Sequence, residues 1–215
     1  TICSFLLLIF YMPIYLIWFA YLEKTVRTHF HVIYMKIDDY IPFCEYFIIP
    51  YLLWFLYVAV TIFYVGFTDK TEFYQLCTFL FTGMTLFLII STIYPNGHFL
   101  RPTSFEHTNI FTELCAWLYK TDTATNLFPS IHVYNSIGAH LGIIHSKKLK
   151  HNKIICTISF ILMISIILST VFLKQHSVFD LITGLLTAFV MYLLVYVRNT
   201  NKALAKEKRK KKVTA

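Results

Sequence analysis

Among the 215 residues, two histidines stand where an imidazole could do chemistry: His132 and His176. His176 precedes Asp180 by four positions, which puts the two on one face of a helix. A carboxylate so placed holds one imidazole nitrogen and leaves the other free as a nucleophile. His132 closes the run Pro129-Ser130-Ile131-His132. Proline suits a first helical turn, and the unpaired N–H groups of such a turn bind anions such as phosphate. His132 in that turn could protonate a leaving oxygen. Arg101 offers a bidentate grip on phosphate oxygens, and Lys174 lies close to His176 as a second cation. A nucleophile, an acid and cations around one anion are the parts of a phosphoryl transfer. Tyr94 and Asn96 open the connection that carries Arg101 and are candidate substrate contacts. His98, His107, His140, His145 and His151 are read as structural or interfacial.

The elements that must position these residues are membrane helices. Of the chain, 57% is hydrophobic and 14% charged, against about 25% charged in a soluble domain. Apolar runs near the ~20 residues needed to cross a bilayer cover roughly 3–22, 43–67, 74–93, 129–145, 154–173 and 177–197. The first run is too long for a signal-peptide core and has no small-residue cleavage site, so it is read as a span. The fold expected is all-α: one six-helix membrane domain over 1–200, then a polybasic tail over 201–215. Residues 23–42 alternate charged and apolar positions and are predicted to lie along the membrane surface. The connection 94–127 is the longest, and 103–119 within it is predicted to form a short amphipathic helix.

Charge gives the orientation. The net charge of +8 is concentrated in the loop 146–153 and in the tail that includes Lys206, Lys208 and Arg209. Both are expected to be cytoplasmic, and the tail is read as a topology signal, not as a nucleic-acid site. Six spans then place both termini in the cytoplasm. Arg101, His132, Lys174, His176 and Asp180 fall together on the opposite, extracytoplasmic face. Ionisable groups gathered at one membrane depth are costly and mark function. No two of the five cysteines have metal-ligand spacing, and the carboxylates do not cluster as a two-metal site requires. No metal and no cofactor is expected. Cys44 and Cys115 fall on the same face, where a disulfide could form.

Pro129-Ser130-Ile131-His132, followed by Ser169-Thr170-Val171-Phe172-Leu173-Lys174-Gln175-His176-Ser177-Val178-Phe179-Asp180, resembles the type 2 phosphatidic acid phosphatase superfamily. Arg101-Pro102 resembles the end of that family's first motif. The resemblance implies a six-helix core, a metal-free site and a lipid phosphate or pyrophosphate substrate, a phospholipid or prenyl phosphate. It implies His176 as the nucleophile that becomes phosphorylated, Asp180 as its orienting partner and His132 as the general acid. It puts Arg101 and Ser130 on the phosphate and makes Ser169 a further candidate contact. Three positions depart from the common pattern. Tyr94 stands where the family usually has lysine, Thr170 where it has arginine, and Ile131 where it has glycine. Lys174, one helical turn beyond Thr170, is a candidate substitute for that arginine if the helix continues. The departures resemble a branch near the inositol-phosphorylceramide and sphingomyelin synthase relatives, which implies headgroup transfer as an alternative to hydrolysis. A non-catalytic phospholipid-binding protein is the reading from another class. A bacterial plasma membrane is the location expected.

Overall fold

The computed structural model describes residues 2–26 and 29–198. The basic tail and the second expected terminus lie outside the described residues. Among the described residues seven α-helices follow one another: α1 (Ile2–Thr25), α2 (Ile48–Thr68), α3 (Lys70–Ile93), α4 (Ile110–Thr121), α5 (Ile131–His145), α6 (Lys153–Phe172) and α7 (Val178–Tyr192). The last continues as a π-helical turn, Leu193–Val197. A 3₁₀ turn, Glu45–Phe47, leads into α2.

Among the described residues four helical stretches are long and apolar enough to cross a membrane: Glu45–Thr68, Lys70–Ile93, Lys153–Phe172 and Val178–Val197. Their outward faces carry Phe55, Phe63, Phe67, Ile154, Ile161, Leu186 and Phe189, all exposed. Apolar surface of that extent suits lipid and not water. The chain is a mostly helical membrane protein. The helix α1 adds 24 residues, with Pro13 inside it. It docks on α3 through Tyr11, whose ring stacks on Phe81 at 4.0 Å and whose hydroxyl donates to the Phe81 carbonyl at 3.0 Å.

At the centre stands α5, packed against α2, α3, α6 and α7. Its 15 residues make a helix of roughly 22 Å, shorter than a ~30 Å hydrocarbon core. Ten of the 15 are buried, and several of its polar groups find partners inside the protein, although Asn135 Oδ1 does not. The Ser136 hydroxyl donates to the His132 carbonyl at 2.6 Å, and His140 Nδ1 lies 2.8 Å from Ser159 Oγ, itself 2.6 Å from the Tyr57 hydroxyl. Close packing needs small residues at the crossings. A Cβ on Gly83 of α3 would lie 2.0 Å from the Tyr134 ring of α5, and one on Gly184 of α7 would lie 3.0 Å from the Ser130 carbonyl oxygen.

At the end of the bundle where α5 and α7 begin, three connections meet. His31–Val32 (β1) pairs in parallel with Asn96–Gly97 (β2), and Gly97 bridges to Thr125. At the other end Lys147 reaches Asp69 at 2.7 Å.

Three expectations about the elements change. The short amphipathic helix begins at Ile110, not near 103, because Asn109 caps it by accepting from Phe111 N and Thr112 N. Residues 23–42, expected along the membrane surface, complete α1 at Thr25 and then form β1 and a 3₁₀ turn, Lys36–Asp39, that buries Asp38 while Tyr34, Ile37 and Tyr40 stay exposed. Cys44 and Cys115 are free thiols.

Candidate active site

The C-terminal end of α6 delivers His176 by a reversal of the chain. Lys174 takes φ = 52°, the left-handed conformation that stops a helix. The amides of Gln175 and His176 then both donate to the Thr170 carbonyl, at 2.9 and 3.0 Å. One residue later α7 starts with a capping box. The Ser177 hydroxyl accepts from Phe179 N, and Asp180 Oδ2 accepts from Ser177 N at 3.1 Å. His176 is thus held between the stop of one helix and the cap of the next.

The same Asp180 Oδ2 lies 3.5 Å from His176 Nδ1, an ion-pair distance longer than a formed hydrogen bond. His176 Nε2 faces His132 Nδ1 at 3.4 Å. His132 sits in the first turn of α5, whose N-cap Ser130 accepts from Val133 N at 3.4 Å and donates its own amide to the Asp180 carbonyl at 3.3 Å. The His132 ring is clamped between Tyr51, at 4.6 Å, and Trp54, at 4.3 Å. Both histidines are buried.

Arg101 closes the other side. Nη1 donates to the carbonyls of Asp122 (2.7 Å) and Tyr119 (3.3 Å), and Nη2 to Thr123 O (3.0 Å) and Gln175 Oε1 (2.5 Å). The guanidinium lies 4.7 Å from the Tyr119 ring centre. Burial first, then the charge of Arg101, push the His176 imidazole down to about 3. It is therefore neutral near pH 7, as a nucleophile must be. His98 bonds the Gln175 carbonyl at 2.8 Å, and burial brings it down to about 4.

Among the described residues nine buried side-chain polar atoms lack a hydrogen-bond partner, and four belong here: Arg101 Nε, Gln175 Nε2, His176 Nδ1 and Asp180 Oδ1. Native proteins seldom leave such atoms unpaired. Two of the four are N–H donors from residues that flank the nucleophile candidate, which suits an incoming oxyanion.

Of the residues named from sequence, the structure brings His176, His132, Asp180, Arg101 and Ser130 together, and it sets four others to different tasks. Lys174 does not extend the helix face of Thr170. Its left-handed backbone turns it aside, and Nζ donates to the carbonyls of Asp38 (2.6 Å) and Ile41 (2.5 Å). Asn96 is a brace: Oδ1 accepts from Leu127 N and Phe128 N, and Nδ2 donates to Tyr94 O. Tyr94 stacks on His31 at 4.2 Å. Ser169 is buried and donates to Ile166 O of its own helix. Sequence reasoning gave no role to Tyr51, Trp54, Gln175 or Asp38. Gln175 has a local signal in its place beside His176; the others carry none.

Residues 100–203 match the family model of the PAP2 superfamily. That match supports membership of the chain in the PAP2 superfamily. No curated protein and no solved structure matches it. PAP2 chemistry is phosphatase and phosphotransferase chemistry on phosphate esters, which agrees with a neutral imidazole beside an acid and an arginine. The matched stretch takes in every member of the histidine site. Asp38, Tyr51 and Trp54, which press on that site from the N-terminal part of the chain, lie outside it.

Proposed function

We propose that this protein is a membrane-embedded, metal-independent lipid phosphatase working through a phosphohistidine. The observation that carries the reading is His176 itself, with Nδ1 toward Asp180 and Nε2 toward His132. His176 Nε2 attacks phosphorus, and the bond from phosphorus to the lipid oxygen breaks. His132 passes a proton to that oxygen, so the lipid leaves as an alcohol. Water then attacks the phosphohistidine, His132 takes its proton, and inorganic phosphate departs. Arg101, the free N–H of Gln175 and the N-terminus of α5 stabilise the charge on the phosphoryl oxygens. Ser130 fixes that terminus as its cap.

Six helices cross the bilayer in this reading, α1 and α5 completing the set. The termini and the lysine loop after α5 are cytoplasmic, because basic loops stay inside. The site then opens outward, at the level where a lipid phosphate lies. A second reading shares the first half-reaction and uses an alcohol in place of water. It is favoured by the burial of both histidines, which disfavours free access of water to the phosphoenzyme.

The test is turnover by the purified protein of a panel holding phosphatidic acid, a prenyl pyrophosphate and phosphatidylglycerol phosphate, with and without an added lipid alcohol. Release of free phosphate supports hydrolysis, and a new phosphate ester supports transfer. The His176→Ala variant is expected to be inert. Wild-type turnover in that variant removes the nucleophile, and no turnover of any member by the wild type favours a binding protein.

A further inference from the structure

The connection that holds His176 is tied on both sides to one short turn that precedes α2. Asp38, in the 3₁₀ turn Lys36–Asp39, is 2% exposed although it carries a carboxylate. Oδ2 accepts from the Ser177 hydroxyl at 2.6 Å, and Oδ1 accepts from Val178 N at 2.8 Å. Met35 N also donates to Oδ2, at 2.8 Å, so the carboxylate is fixed from its own side as well. On the other flank of His176, the Lys174 ammonium donates to the Asp38 carbonyl. A buried carboxylate at a helix N-terminus is stabilised by the N–H groups and by the helix dipole. Here it also fixes the Ser177 hydroxyl, whose backbone amide is the one held by Asp180 Oδ2.

We infer that Asp38 is a positioning residue for His176, clamping the α6–α7 connection so that the imidazole stays aligned between Asp180 and His132. It touches neither histidine; it acts through Ser177, Val178 and Lys174. The inference rests on His176 being the nucleophile. Its geometric half, that Asp38 sets the imidazole, does not.

The experiment uses the full chain in detergent micelles. Turnover of p-nitrophenyl phosphate and of phosphatidic acid is measured for wild type, Asp38→Asn, Ser177→Ala and the double variant. Ring ¹⁵N spectra of His176, assigned by their loss in His176→Ala, are recorded on the same samples. A misplacement near 1 Å costs on the order of 100-fold in rate. Asp38→Asn keeps one acceptor, so kcat is expected to fall about 10- to 100-fold with KM within about twofold, and the double variant is expected to be no slower than the slower single one. The His176 signals are expected to pass from one tautomer to a mixture. A merely structural role lowers the folded fraction and leaves the rate per folded molecule and the tautomer unchanged; that result, or additive losses, overturns the inference. Wild-type turnover in His176→Ala sinks the proposed nucleophile instead, and the ring spectra then still decide whether Asp38 orients the imidazole. Should Asp38→Asn fail to fold, Ser177→Ala alone carries both readouts.

Discussion

Replacing Gly184 by alanine and then by leucine wedges α7 away from the first turn of α5. A Cβ at this position would lie 3.0 Å from Ser130 O, 3.1 Å from Val133 Cβ and 3.2 Å from Val133 Cγ1. Carbon atoms rest comfortably about 3.5–4.0 Å apart, so alanine asks for a separation of about half an ångström. Ser130 and Val133 bracket His132, whose Nδ1 lies 3.4 Å from His176 Nε2. The opening is therefore passed to the pair of histidines. Alanine is expected to lower kcat about 3- to 10-fold. Leucine, which needs more than about 1 Å, is expected to lower it about 100-fold. Overpacking should also cost about 1–3 kcal/mol of stability. The assay is steady-state turnover in micelles at a temperature where each variant is folded by near-ultraviolet circular dichroism. Leucine with wild-type kcat would show that the approach of α7 to α5 does not set the reacting geometry.

Arg101→Lys keeps the charge but cannot hold Asp122, Thr123 and Gln175 together as the guanidinium does. Turnover is expected to fall about 100-fold, and a loss under threefold would refute a special need for arginine. Asn96→Ala leaves the amides of Leu127 and Phe128 without their acceptor. A cost of about 1–3 kcal/mol is expected as a lower unfolding temperature, and an unchanged one would refute the brace. His98 supplies the pH prediction, because burial holds it near 4 in the folded chain, below the usual 6.5. The unfolded chain then binds more protons between those values, so this contribution to stability is complete above pH 6.5 and is lost as pH falls toward 4. The stability difference between wild type and His98→Gln should shift against the wild type by about 1.4 kcal/mol per pH unit in that window, and a constant difference would contradict it.

The apolar runs located the helices well, because a bilayer selects for length and hydropathy and both are written locally. The histidine site was legible for a related reason: the four-residue step from His176 to Asp180 and the Pro-Ser start of α5 are local signals. What stayed hidden is long-range. Asp38 caps a helix that begins 140 positions later, and no local pattern announces a cap from that distance. Lys174 misled because a lysine gives no warning of a left-handed backbone, where glycine would have. Residues 23–42 carry mixed polarity, which suggests a membrane surface and gives no sign that Asp38 within them is buried.

The shortness of α5 has a consequence for how the protein meets different membranes. Longer helices surround it, and only its last residue, His145, is exposed. Bilayer thickness varies by several ångströms between membranes, and a protein adapts by tilting the helices that touch lipid. An inner helix that barely touches lipid takes no direct load from that mismatch. The outer helices can tilt to suit a thin or a thick bilayer while His132 keeps its depth, so the end that carries the candidate site is buffered against changes in lipid composition.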